Sequence, residues 1–233
     1  MSKKDSCQYL FQKRNLWYNR KQEKERGDTM IDKEKNIERF EALMSKVTRA
    51  GHKELKNYLK KSDMYTAPAS TRFHLSVEGG LLLHSLNVYD CFVDTLEKDG
   101  DFYYYRVCGK EVQKLTEENV VIMALLHDIC KTNFYQSTLR WAKDENNQWY
   151  QYPVYEVNDK IPYGHGEKSV MMIEEFMKLE PVERYAIRWH MGYTDDANYQ
   201  TLSHAIEKYP AIWALHDADQ KATHFLEDNE GNK

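Results

Sequence analysis

Apolar positions along the chain fall mainly into the three- and four-residue spacing of helices. Ile37, Phe40, Leu43, Met44 and Val47 predict a helix over 32–47, and Leu55, Tyr58 and Leu59 a second over 51–61. Asp63–Arg72 contains Ala67-Pro68-Ala69-Ser70 and reads as a loop. Phe73–Gly80 continues that loop, and Gly79-Gly80 opens backbone geometries closed to other residues. Leu81, Leu82, Leu83, Leu86, Val88, Tyr89, Phe92, Val93 and Leu96 then describe a mostly buried helix. His84 lies on its core side, with Leu81 and Val88 one turn away. The segment 98–115 reads as an irregular or short β connection.

The longest apolar run is Val120–Leu126, which leads directly into His127 and Asp128. Thr116 offers a hydroxyl cap, and Glu117 and Glu118 fill a first turn, so the run is expected to be a helix. Burying an imidazole and a carboxylate at its end costs free energy unless each finds a partner. A metal ion is one such partner; a hydrogen-bonded structural pair is the other.

Beyond this run the period changes. Leu139–Lys143 and Gln148–Val157 are rich in Trp, Tyr and Val and flank Asp144-Glu145-Asn146-Asn147, the pattern of a β-hairpin. Pro153 suits an edge position. Helical spacing returns over Gly166–Leu179, over Pro181–Met191, and over 197–227 with a break at Pro210. In the last pattern Ile212, Leu215, Asp219, Ala222 and Leu226 form one stripe. Asp219 therefore lies on the apolar face, and Asp217 points about 160° away from it.

Composition narrows the function classes. A net charge of −4 over 233 residues gives no global nucleic-acid footprint. Residues 1–29 are basic and read as a flexible arm, for which nucleic acid or an acidic partner is a conceivable contact; residues 30–233 read as one domain. No apolar stretch is long enough to span a membrane. Cys7, Cys91, Cys108 and Cys130 lack close pairing, which is the usage of a reducing cytoplasm.

His84, His127, Asp128 and Asp219 all sit on apolar faces or at helix ends leading to the core, while His165 opens a helix behind Gly164 and His190 closes one. Imidazoles and carboxylates together suit first-row divalent metals. Their order, within Gly79-Gly80-Leu81-Leu82-Leu83-His84-Ser85-Leu86, Leu125-Leu126-His127-Asp128-Ile129-Cys130-Lys131, Gly164-His165-Gly166-Glu167 and Leu215-His216-Asp217-Ala218-Asp219, resembles the HD-domain superfamily of metal-dependent phosphohydrolases. The resemblance covers roughly residues 64–226.

That resemblance implies an all-α helical bundle, with the hairpin near 139–157 as a small insertion. It implies His84, His127, Asp128 and Asp219 as ligands of a first divalent ion. Asp128 would bridge to a second ion held by His165 and His190, the ions being Mn, Fe, Co, Ni, Zn or Mg. Some two-metal relatives carry adjacent histidines near the fifth position, whereas Met191 follows His190 here, so a one-metal site with His165 and His190 on the substrate stays open.

The implied activity is hydrolysis of a phosphomonoester or phosphodiester, with a nucleotide as the expected phosphorylated substrate. The alternatives are 3′-to-5′ exonuclease action on single-stranded nucleic acid and a catalytically silent ligand-binding module. Asp128 and Lys131 are the catalytic candidates, Lys131 either as a point charge for a phosphate or as a helix-terminal cation. Arg72, His74, Lys131 and Trp189 are the substrate-contact candidates. Trp189 either stacks a base or packs in the core.

Overall fold

The computed structural model describes residues 32–145, 147–194 and 198–227. The basic arm expected over 1–29 lies outside them. Among the described residues there are eight α-helices and two small antiparallel sheets. The helices are α1 (Lys33–Met44), α2 (His52–Lys61), α3 (Gly80–Thr95), α4 (Glu117–Leu126), α5 (His165–Glu174), α6 (Pro181–Arg188), α7 (Tyr199–Lys208) and α8 (Ala211–Lys221). No helix among these residues is long and apolar enough to cross a membrane.

α4 is the centre of the core because it has no polar face to show to water. Val120 to Leu126 are all buried, and α3 packs beside it with Leu81, Leu82, Leu86, Val88 and Phe92 buried. α8 contributes Ala211, Ile212, Ala214, Leu215 and Ala218. The start of α4 is set chemically. Thr116 Oγ1 accepts from the Asn119 N–H at 3.1 Å, and Asn119 Oδ1 accepts from the Thr116 N–H at 2.8 Å. This reciprocal cap satisfies two amides that the first turn leaves without partners.

The helical core stands as expected, and the segment read as an irregular or short β connection forms a first sheet, β1 (Glu97–Asp99), β2 (Phe102–Val107) and β3 (Lys110–Thr116), paired in that order. Its inner positions meet the core: Tyr103 pairs with Leu115, and both are buried. Cys108 at φ 50° and Gly109 at φ 76° form the two-residue turn between β2 and β3. Two positive φ values in succession match the strand twist of a tight hairpin. The solvated residues of β1 and β3 dilute the alternation, which explains why this segment read as a connection.

The second sheet is the hairpin, longer at its start than the sequence pattern indicates. β4 (Tyr135–Lys143) pairs with β5 (Trp149–Val157), with Leu139 opposite Pro153. The last predicted helix is divided. Asn198 caps α7 by accepting from the Thr201 N–H at 2.9 Å, Pro210 precedes α8, and a wider π turn spans Ala222–Leu226.

A loop over 62–79 is sewn to the start of α3. The Leu81 N–H donates to Ala67 O at 3.0 Å, and the Ala69 N–H donates to Leu75 O at 3.1 Å. A Cβ on Gly80 would lie 2.1 Å from Leu75 O, so this approach requires glycine. The loop is thereby fixed beside His84, which lies one turn into α3.

Candidate metal centre

Five elements carry the six residues singled out by the sequence. His84 projects from α3, and His127 ends α4. Asp128 follows at φ −108°, ψ 19°, leading into a short 3-10 turn, Ile129–Lys131. His165 is the first residue of α5, His190 lies just past α6, and Asp219 is on the inner face of α8. His84, His127, Asp128, His190 and Asp219 are buried, whereas the His165 side chain is 35% exposed. The helix-face argument for α8 holds in the structure: Asp217 points outward and pairs with Lys221 at 2.5 Å.

The structure brings all six together. His84 Nε2 lies 3.2 Å from His127 Nε2 and 3.3 Å from Asp219 Oδ1. Asp128 faces both ways. Its Oδ2 lies 3.5 Å from His84 Nε2 and 3.6 Å from His127 Nε2. Its Oδ1 lies 2.6 Å from His165 Nε2 and 3.4 Å from His190 Nε2.

The remaining ring nitrogens decide what this cluster can do. His127 Nδ1 is 2.9 Å from Ala124 O, and His190 Nδ1 is 2.7 Å from Ile187 O. A carbonyl only accepts, so both Nδ1 atoms carry the proton. His84 Nδ1 lies 3.0 Å from both Glu227 oxygens, and it too is the donor. Three Nε2 lone pairs therefore converge on two carboxylates. Two of them stand 3.2 Å apart with no proton between them in the neutral tautomers. His190 Nε2 is buried without a hydrogen-bond partner among the described residues.

Such a set needs a positive charge at its centre, either a proton or a metal ion. Burial opposes charge on His84, yet Glu227, Asp128 and Asp219 raise its pKa well above the usual imidazole value. Burial likewise opposes ionisation of Asp128, yet Lys131, His127 and His165 hold its carboxyl well below the usual range. For His127 burial prevails and lowers the pKa to about 4, leaving a neutral ligand nitrogen. Adjacent donors on a tetrahedral ion bonded at about 2.0–2.2 Å stand roughly 3.3–3.6 Å apart. The residues present thus fit a divalent ion by spacing, tautomer and charge.

The other candidates are placed less uniformly. Lys131 Nζ lies 2.6 Å from Asp128 Oδ2 inside the cluster. α4 ends five residues earlier, so Lys131 is not a cation of that helix terminus. The His74 ring lies 5.0 Å from the His84 ring, and burial lowers its pKa to about 4. Arg72 is exposed, with its guanidinium over the Phe73 ring. Trp189 is buried, and Arg188 lies 4.3 Å from its ring centre.

Two supporting features escaped the sequence pattern. Glu227 is buried just beyond the π turn, where it also accepts from Asn87 Nδ2 at 3.0 Å. It stands at the head of a polar tail, and no periodicity marks it. Asn87, a polar residue one turn after His84 in a buried helix, was the available hint. The second feature is His216, whose Nδ1 donates to His190 O at 2.7 Å and fixes the segment after α6.

Gly166 sets the distance between the His165 and His190 segments. A Cβ there would fall 2.1 Å from Arg188 O. Gly166→Ala is therefore expected to destabilise the protein by about 1–3 kcal/mol and to lower its metal content. Thermal denaturation with metal analysis checks this. Unchanged stability would mean that α5 can back away at no cost.

The family model for the HD domain matches residues 81–220, which include the six clustered residues. Neither the comparison with curated proteins nor that with solved structures gives a match.

Proposed function

As the chain belongs to the HD-domain family, whose members are in general metal-dependent hydrolases, we propose that it is a metal-dependent phosphohydrolase acting on a phosphomonoester or phosphodiester, with a nucleotide as the preferred substrate class. One observation carries the reading: the bare Nε2 atoms of His84, His127 and His190 converge on Asp128 and Asp219. His84, His127, Asp128 and Asp219 would hold one ion, and Asp128, His165 and His190 a second. The two faces of the Asp128 carboxylate support the two-ion reading. When bound, divalent ions acidify water and offset negative charge on phosphoryl oxygens.

The protein's own groups do the rest. Asp128 orients four imidazoles and one ammonium. Lys131 keeps its positive charge, because the Asp128 carboxylate outweighs the effect of burial. It supplies a point charge suited to a phosphoryl oxygen. His165 is the most exposed of the six, so substrate approaches on its side.

Metal analysis of the purified protein is expected to give one to two equivalents. A screen of metals against phosphomonoesters, phosphodiesters, nucleoside triphosphates, cyclic dinucleotides and short RNA then identifies the substrate class. Bound metal with no turnover in any class would overturn the enzymatic reading. Asp219→Ala is expected to weaken metal binding by at least about tenfold, while Asp217→Ala leaves it near wild type. The reverse order would contradict the assignment of Asp219.

A further inference from the structure

The carboxylate behind His84 owes its place to an irregular turn. An α-helix continued past Ala222 would bring Leu226 next onto the buried stripe and would carry Glu227 about 140° round the axis from Ala222. The π turn Ala222–Leu226 reverses that choice. The Glu227 N–H donates to Ala222 O at 3.1 Å, which sets Glu227 above the buried Ala222. Leu226 is left half-buried, while Glu227 is buried. The chain thus forgoes part of the burial of a leucine in order to bury a carboxylate, against the transfer preference of both side chains. Single π turns of this kind are frequent at functional sites.

Both Glu227 oxygens lie 3.0 Å from His84 Nδ1, and Asn87 Nδ2 donates to Oε1 at 3.0 Å. His74 Nε2 stands 3.8 Å from Oε2. The other rings of the cluster are backed differently. His127 and His190 rest on neutral carbonyls, and His165 Nδ1 faces Cys130 Sγ at 3.2 Å. A carboxylate on the far nitrogen of a ligand imidazole fixes the ring and raises the basicity of the near nitrogen. It also adds charge. With Glu227 the centre holds three carboxylates against the ammonium of Lys131, a balance that one divalent ion neutralises.

We propose that Glu227 is a positioning residue for the ion at His84, and that ion and C-terminal turn are linked, each tightening the hold of the other. The inference rests on the reading of His84 as a ligand. If the Glu227 carboxylate strengthens ion binding through His84, linkage requires that the ion hold Glu227 more firmly in return. Ion binding therefore secures Ala222–Glu227 against α3, where His84 and Asn87 stand.

Titration of the metal-stripped, full-length protein with manganese or zinc measures the first half of the link. Glu227→Gln keeps the size of the side chain and an acceptor for His84, and it removes the charge. It is expected to raise the dissociation constant of the ion about 10–100-fold with an unchanged circular dichroism spectrum. His224→Ala, on the exposed side of the same turn, is expected to bind like wild type. Hydrogen exchange measures the second half and needs no variant: the ion is expected to slow exchange over 222–227 in the wild type. Equal affinity of Glu227→Gln and wild type, or exchange over 222–227 that the bound ion leaves unchanged, would overturn the proposal and leave the metal centre standing. A wild type that takes up neither ion would remove the metal centre and this inference together.

Discussion

Asp128→Asn is expected to lower turnover by at least about 10²–10³-fold and to strip the protein of most of its bound metal. The substitution keeps the shape of the side chain and removes its charge. In the wild type, Oδ1 serves His165 and His190, while Oδ2 serves His84, His127 and Lys131. Asparagine offers one acceptor oxygen where five donor or ligand groups converge, and its NH₂ group repels Lys131. Alanine is the less informative variant. It leaves the largely buried Lys131 without its carboxylate, at a cost of about 3–5 kcal/mol, so loss of activity would mix with loss of fold. Metal content, turnover and circular dichroism measured on Asp128→Asn separate the two. Retention of both metal and turnover would remove Asp128 from the centre of the site.

The largest stability effect is expected far from the metal centre. Glu183 is completely buried at the start of α6, and Arg49 grips it with two nitrogens at 2.7 and 2.9 Å. Asn119 Nδ2 donates to the same carboxylate at 2.9 Å, and the Glu180 N–H donates to it at 2.7 Å. Arg49 also reaches Glu118 at 3.3 Å. One carboxylate thus joins the loop after α1, the first turn of α4 and the first turn of α6. Glu183→Ala takes the close bidentate partner from a largely buried guanidinium, leaving it Glu118 at 3.3 Å, and it removes the acceptor of the Glu180 N–H and one of the two acceptors of Asn119 Nδ2. The expected loss is about 3–5 kcal/mol, a fall of roughly 6–20 °C in Tm for a chain of this size. Urea denaturation and calorimetry measure it. A loss below about 1 kcal/mol would show that water or a neighbouring carboxylate takes over the grip.

The sequence made the metal centre more legible than its surroundings, and the reason is physical. His84, His127 and Asp219 interrupt apolar stripes, and burying a polar side chain without a partner is costly. Such interruptions are therefore informative even without coordinates. Helix α4 was visible for the same reason, because seven consecutive apolar residues leave few alternatives. The sheet over 97–116 was obscured because only Tyr103 and Leu115 meet the core at full burial, too few to mark a period. Glu227 was hidden differently. It acts through His84, and a residue whose role is to hold another side chain needs no pattern of its own. Gly166 appeared as part of a motif, but its reason, the closeness of Arg188 O, belongs to the tertiary structure.

His127 and His190 each direct Nδ1 to the carbonyl three residues earlier, on Ala124 and on Ile187. Both carbonyls belong to the last turn of a helix, where the chain has run out of amides to answer them. A single bond thus closes the helix end and selects the tautomer of the ring. Alanine scanning would misread these two positions. Removing either ring would discard a proposed ligand and reopen a helix terminus together, so the apparent contribution of the imidazole to ion affinity would be inflated by unravelling. At His84, whose Nδ1 partner is the Glu227 side chain rather than a helix end, the two effects come apart.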